Sequence, residues 1–205
     1  MRIADAFTWP FRAGASSWLI GGVTVLLLPL LFVPLLGYAV AATRAAAGDA
    51  AQDPPAWSLS WRLLADGFWT AVVITLTAAP FAIAFVVLAH SLHGVVAGVI
   101  TFFALLLLWG LVALLFLPHA TAVFATSGRT RDLFDFTSSL RRVGRDFATW
   151  NIVVAAIVTG WAIGLACVAL LCVGLVPGIF YAILVSAHAT AALNPTRARE
   201  SPSAR

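Results

Sequence analysis

The groups in this chain whose side chains could do chemistry are four histidines, eight carboxylates and two cysteines. His90 and His93 are three apart, a spacing that could hold a metal, but a metal site needs further ligands and their surroundings are apolar. They read as an interfacial polar turn. His119 and His188 each open the tetrapeptide His-Ala-Thr-Ala, at 119–122 and 188–191. In a helical bundle they could face each other and hydrogen-bond to Thr121, Thr190 or backbone carbonyls, and the sharper reading is a proton-sensitive or ligand-binding polar site. Cys167 and Cys172 match no zinc or redox spacing and read as small hydrophobes packed in an apolar run. Asp132 and Asp135 precede Arg141, Arg142 and Arg145 in one segment, an order that suits a helix dipole better than a paired-carboxylate acid and base. No nucleophile motif or phosphate loop is present, so no catalytic, cofactor-binding or metal residues are expected, and the protein is expected not to be an enzyme.

Cationic residues carry the other signal, and all twelve are arginine. Five of them, Arg129, Arg131, Arg141, Arg142 and Arg145, lie between Ser127 and Phe147. Leu133, Phe136, Leu140, Val143 and Phe147 recur there at three- and four-residue steps, which predicts an amphipathic helix with its arginines toward anionic headgroups. Trp57, Trp61, Leu64 and Phe68 form a second such stripe and predict a second interface helix. A net charge of +4 does not imply nucleic acid as a partner, because no folded domain is available to carry a basic face. The lipid bilayer is the expected partner.

These elements must be seated by something apolar. The chain has 205 residues, 62% hydrophobic and 10% charged, with a mean hydropathy of +1.01. A soluble domain carries about a quarter charged residues, so the chain reads as an all-α integral membrane bundle in a single domain, 1–193. About five transmembrane helices are expected, over 18–42, 68–89, 95–117, 151–173 and 176–193, with a disordered cytoplasmic tail over 194–205. Pro29 and Pro34 predict a kink in the first span; a re-entrant hairpin turning between them is the rival. The segment before it, with Phe7, Trp9 and Phe11, reads as interfacial rather than as a cleaved signal peptide.

With five spans, only Arg2 and Arg12 fall on the side opposite the other arginines, so the N-terminus is expected outside and the C-terminus in the cytoplasm of a plasma membrane. The re-entrant alternative places every arginine inside. The repeated His-Ala-Thr-Ala, together with the recurring order of interface helix and span, hints at an internal duplication. Small-residue faces permit a homo-oligomer or a larger membrane complex.

The order Trp9-Pro10, Trp18, Ile20-Gly21-Gly22, Gly37-Tyr38, Arg44, Gly48-Asp49, Pro54-Pro55, Asp66-Gly67 resembles a family of prokaryotic multi-pass membrane proteins, the domain-of-unknown-function family 4013. The likeness covers about the first third of the chain by motif and the rest by layout. Many members resemble acidic archaeal proteins, and the basic balance here departs from that. The resemblance implies a multi-pass architecture and no activity, cofactor or catalytic residue. The functional expectation is a non-enzymatic membrane scaffold, accessory subunit or lipid-interacting protein; a passive transporter or channel for a small or lipidic solute comes second, and a lipid-modifying enzyme third.

Overall fold

The computed structural model describes residues 3–49, 52–91, 94–167 and 174–194, and among them regular structure is entirely helical. The helices are α1 (Ile3–Thr8), α2 (Ala15–Leu26), α3 (Leu28–Gly48), α4 (Trp61–Ser91), α5 (Val95–Ser127), α6 (Phe136–Arg145), α7 (Phe147–Ala166) and α8 (Leu175–Ala191), with 3₁₀ turns at Trp9–Arg12 and Thr130–Leu133. Four of them, α3, α4, α5 and α7, are long and apolar enough to cross a membrane; α2 and α8 are shorter apolar helices. The all-α membrane bundle stands, with four such helices among the described residues.

The difference lies in the first apolar run. Instead of one kinked span over 18–42, the helix ends at Leu27 (φ −95°, ψ 28°) and a new one starts at once. Pro29 occupies its first turn, where the missing N–H costs nothing and the fixed φ favours helix initiation. Leu31 (φ −110°, ψ 20°) completes the bend, and Pro34 lies inside α3 beyond it. Contacts with α8 fix the directions. The Trp18 and Phe180 rings lie 5.3 Å apart, and Gly22 faces Val176, so α2 runs antiparallel to α8. The Tyr38 and Phe180 rings are 5.7 Å apart, while His188 meets Trp9, whose indole N–H bonds the Gln52 carbonyl just past α3, so α3 runs parallel to α8. The α2–α3 unit is therefore an antiparallel helical hairpin. Its consequence is that the Trp9 turn shares one end of the bundle with the ends of α3 and α8. The placing of the N- and C-termini on opposite sides rested on an unbroken first span, which the chain does not form.

The predicted interfacial N-terminal segment is likewise revised. Trp9 is 1% exposed and packs in the main core with Tyr38, Leu35, Phe180 and Leu184, rather than lying among headgroups. At the other end, Asn194 is buried rather than solvated, and the remainder of the expected tail lies outside the described residues.

Glycines bring the helices close. Gly164 and Gly178 oppose each other with the facing backbone where a side chain would be, which presses α7 against α8; Gly160 gives room to the Val185 side chain. Gly37 of α3 and Gly67 of α4 meet Leu63 and Val33 backbone. Small residues that let backbones touch drive association where the surroundings are as apolar as the side chains.

The α4–α5 hairpin differs in kind. With 31 and 33 residues the two helices are about 46 and 50 Å long at 1.5 Å per residue. Ser60 Oγ accepts from Leu63 N–H at the start of α4, and Gly128, in the left-handed region at φ 66°, closes α5 by donating to Phe124 O. Only the halves near these ends join the core. Between Val73 and Ala113 none of the described residues is buried, although nearly all are apolar. A surface of that kind belongs in hydrocarbon.

Candidate functional site

The polar residues of the chain gather at the end of the bundle opposite the α4–α5 tip. Arg44, on the last turns of α3, donates from Nη2 to Asp66 Oδ2 of α4 at 2.7 Å and from Nε to the Ala125 carbonyl of α5 at 2.6 Å. Asp66 is 8% exposed, so one charge pair ties three helices. The limits of 42 and 68 for the first two spans left both residues in a connection. The helices instead run through Gly48 and start at Trp61, so the pair lies within them. Opposite charges on adjacent apolar helices were the available signal.

The arginine segment divides into three parts. At its start Asp132 accepts from Ser127 Oγ at 2.6 Å and pairs with Arg129 at 3.2 Å, while Arg131 reaches its other oxygen at 4.0 Å. Leu133 is buried with Phe124 and Val40 in a core cluster, not aligned with the later apolar residues. The next part, α6, begins at Asp135, whose carboxylate accepts the Ser138 N–H at 3.0 Å. Hydrogen bonds from the Ser138 hydroxyl and N–H hold that carboxyl below its ordinary pKa. Ser139 and Val143 are buried, Phe136 and Leu140 are 40% and 52% exposed, and Arg141 and Arg145 are exposed. The third part is a break at Asp146, which caps α7 by accepting the Thr149 N–H, so Phe147 belongs to α7. One continuous stripe from Leu133 to Phe147 does not form. A ten-residue helix with exposed apolar and cationic groups does.

The second expected interface helix does not form separately. Trp57 lies in the connection before α4, its ring stacked on Tyr38 at 4.1 Å with the planes 1° apart, and it packs on the Phe180 core. Trp61, 84% exposed, starts α4 itself. Of the two tryptophans only Trp61 is placed to meet headgroups.

His119 and His188 are both buried, at 4% and 3% exposure, but they do not meet as a pair. The His188 ring lies against Trp9 at 5.0 Å. His119 points toward α6, where the Arg142 guanidinium and the Asp146 carboxylate act on it electrostatically. Phe116, one turn earlier, meets Phe136 at 4.8 Å and pins α6 to α5. What the repeated tetrapeptides share is small-residue packing: Ala122 and Ala189 belong to one core cluster with Val153 and Ala156. Among the described residues no three His, Cys, Asp or Glu side chains gather in one place. Cys167 is half-buried and free; Cys172 and His93 lie outside the described residues, while His90 bonds its own helix at Val86 O.

A cleft of about 320 Å³ opens between α4 and α5, lined by residues such as Phe81, Phe85, Phe102, Leu105 and Trp109. It offers apolar surface and no ionisable group. No curated protein and no solved structure matches the chain. The model of a family described as "Protein of unknown function (DUF4013)" matches residues 20–186, well beyond the first-third motif likeness and through to α8. A multi-pass architecture, an α2–α3 hairpin and a charged end are thus features of a chain that belongs to this family of unknown function.

Proposed function

We propose that the protein is a non-catalytic, lipid-engaging component of the cell membrane, acting as a scaffold or accessory subunit. One observation carries the reading. The α4–α5 hairpin buries none of its described residues between Val73 and Ala113 and exposes many apolar side chains there, and α6, at its base, exposes Phe136 and Leu140 beside Arg141 and Arg145. A helix of that pattern lies at the headgroup boundary, with its arginines on anionic phosphates. Arg44 and the arginines from Arg129 to Arg145 belong to that end of the bundle, so it faces the cytoplasm, and the Trp9 turn and the end of α8 lie there with them. The Ala-, Leu- and aromatic-rich core and the apolar α4–α5 cleft support a packed, lipid-bathed body rather than a solute path.

The test is lipid selectivity. Protein extracted with its surrounding lipid from a mixed phosphatidylcholine and phosphatidylglycerol membrane should be enriched in phosphatidylglycerol. Replacing Arg129, Arg131, Arg141 and Arg145 together by glutamine should remove most of that enrichment, since each basic residue near the surface is worth about 1 kcal/mol. An unchanged lipid ratio in the fourfold variant refutes the reading.

A further inference from the structure

Between α5 and α6 the fold leaves donors without acceptors. Neither ring nitrogen of His119, nor Nη1 of Arg142, has a hydrogen-bond partner among the described residues, and all three atoms are sealed from solvent. They belong to facing elements, joined by the Phe116–Phe136 contact, and the guanidinium acts on the imidazole across that seam. An unanswered buried donor is destabilising, and more so when it is charged. Asp146 does not answer it; its carboxylate is turned to the Thr149 N–H as the cap of α7. The Asp135 carboxylate is held by Ser138.

A water molecule would satisfy the imidazole but give Nη1 of the guanidinium no charged acceptor, since Asp135 acts on Arg142 electrostatically without bonding that nitrogen. A phosphate satisfies both, because its oxygens only accept, and two of them match the fork of a guanidinium while another takes an imidazole N–H. The surroundings identify the bearer. The rest of Arg142 is only half-buried, which gives the seam an open edge. Above it, Leu107, Leu108 and Leu111 of α5 are exposed along the helix, as a path for acyl chains.

We propose that Arg142 and His119 form a binding site for the headgroup phosphate of one anionic phospholipid, seated between α6 and α5. The site rests on the placement of α6 at the headgroup boundary, but it makes a separate demand. The exposed arginines attract many lipids loosely, whereas this seam retains one lipid tightly.

Full-length protein is purified from phosphatidylcholine membranes containing phosphatidylglycerol, delipidated by detergent washing, and weighed intact by native mass spectrometry. A single phosphatidylglycerol should survive on the wild type. Arg142→Gln and His119→Phe should each lower its retention about tenfold or more, the loss of one charge-assisted contact, with Arg142→Lys intermediate. If His119→Phe loses helicity by circular dichroism, Arg142→Gln decides alone, since it alters a side chain on the partly exposed helix. Retention unchanged in Arg142→Gln overturns the site while leaving the lipid-engaging reading intact, provided the bulk enrichment depends on the exposed arginines. No retained lipid and no bulk enrichment in the wild type overturns both. Inorganic phosphate that raises the melting temperature in pure phosphatidylcholine nanodiscs as much as phosphatidylglycerol does would assign the seam to a free anion and overturn the lipid.

Discussion

Where α3 crosses α4, Gly37 and Gly67 should prove indispensable, and Gly37→Ala is the sharpest way to show it. A Cβ on Gly37 would collide with the Leu63 carbonyl oxygen, lie 2.9 Å from the Leu63 carbonyl carbon and 3.0 Å from its Cγ, where ordinary contact begins at 3.4 Å. The first two are backbone atoms, so no rotamer change relieves them, and one helix must shift. The methyl group also brings a benefit, because alanine is about 0.8–1.0 kcal/mol better than glycine inside a helix. Overpacking against it costs about 1–3 kcal/mol. The shift also pulls on the Arg44–Asp66 bond spanning the same two helices, which places the cost near the top of that range. A net loss of roughly 2 kcal/mol follows. Gly110→Ala is the control: nothing lies within 4 Å of its added carbon, so it should be neutral or stabilising by up to about 1 kcal/mol. Unfolding the full chain with sodium dodecyl sulfate in mixed micelles, followed by circular dichroism, reads both. Equal stability for Gly37→Ala and Gly110→Ala would refute the reasoning, since it would mean the helices do not touch there.

Asp66→Ala should destabilise by roughly 3 kcal/mol, the lower part of the range for breaking a buried pair, because the Arg44 side chain is 27% exposed. Replacing Arg44 and Asp66 together by Met and Leu should restore much of that loss in the same unfolding assay. The Asp135 cap should be pH-dependent in one direction. Its folded pKa is depressed by Ser138, so its contribution is present above the unfolded value of about 4 and is lost as pH falls through the lower folded value. Protection of the Ser138 amide from exchange, relative to its intrinsic rate at each pH, should therefore be constant above that point and fall below it, and Asp135→Asn should abolish the change. In a background with Cys167 and Cys172 replaced by alanine, single cysteines at Ser16 and Ser138 should resist an impermeant reagent added outside, while one at Ser91 should react. Labelling of position 16 from outside would overturn the re-entrant hairpin.

Much of the architecture was legible because hydropathy needs no partner to be read. The α4, α5 and α7 runs are apolar from end to end, and a bilayer demands that their backbone bond itself. The break at Leu27 was harder. Pro29 and Pro34 signal a disturbed helix in sequence, but whether the chain continues or turns back depends on what receives it. The receiver is α8, more than 130 residues later, where Phe180 meets Gly21, Trp18 and Tyr38. Trp57 failed for a related reason. A tryptophan four residues before another looks like a helix stripe, yet its ring is taken by Tyr38, whose hydroxyl also bonds Pro55 O and shapes that connection as a strap on α3.

The same contrast separates two kinds of polar residue. Arg129, Arg131, Arg141 and Arg145 are exposed, and their meaning lies in where charge accumulates along the chain. Arg44, Asp66, Arg142 and His119 act by facing something across a helix boundary. Arg44 finds its counter-charge within the fold, and a three-helix contact results. The Arg142 Nη1 group has no hydrogen-bond partner among the described residues, although Asp135 acts on that guanidinium electrostatically. Two arginines at the same end of one bundle, both partly withdrawn from water, thus have opposite accounts. One is satisfied by the chain and holds it together. The other has to be satisfied from outside the chain, which is why the seam between α5 and α6 carries the ligand proposal and the better-formed ion pair does not.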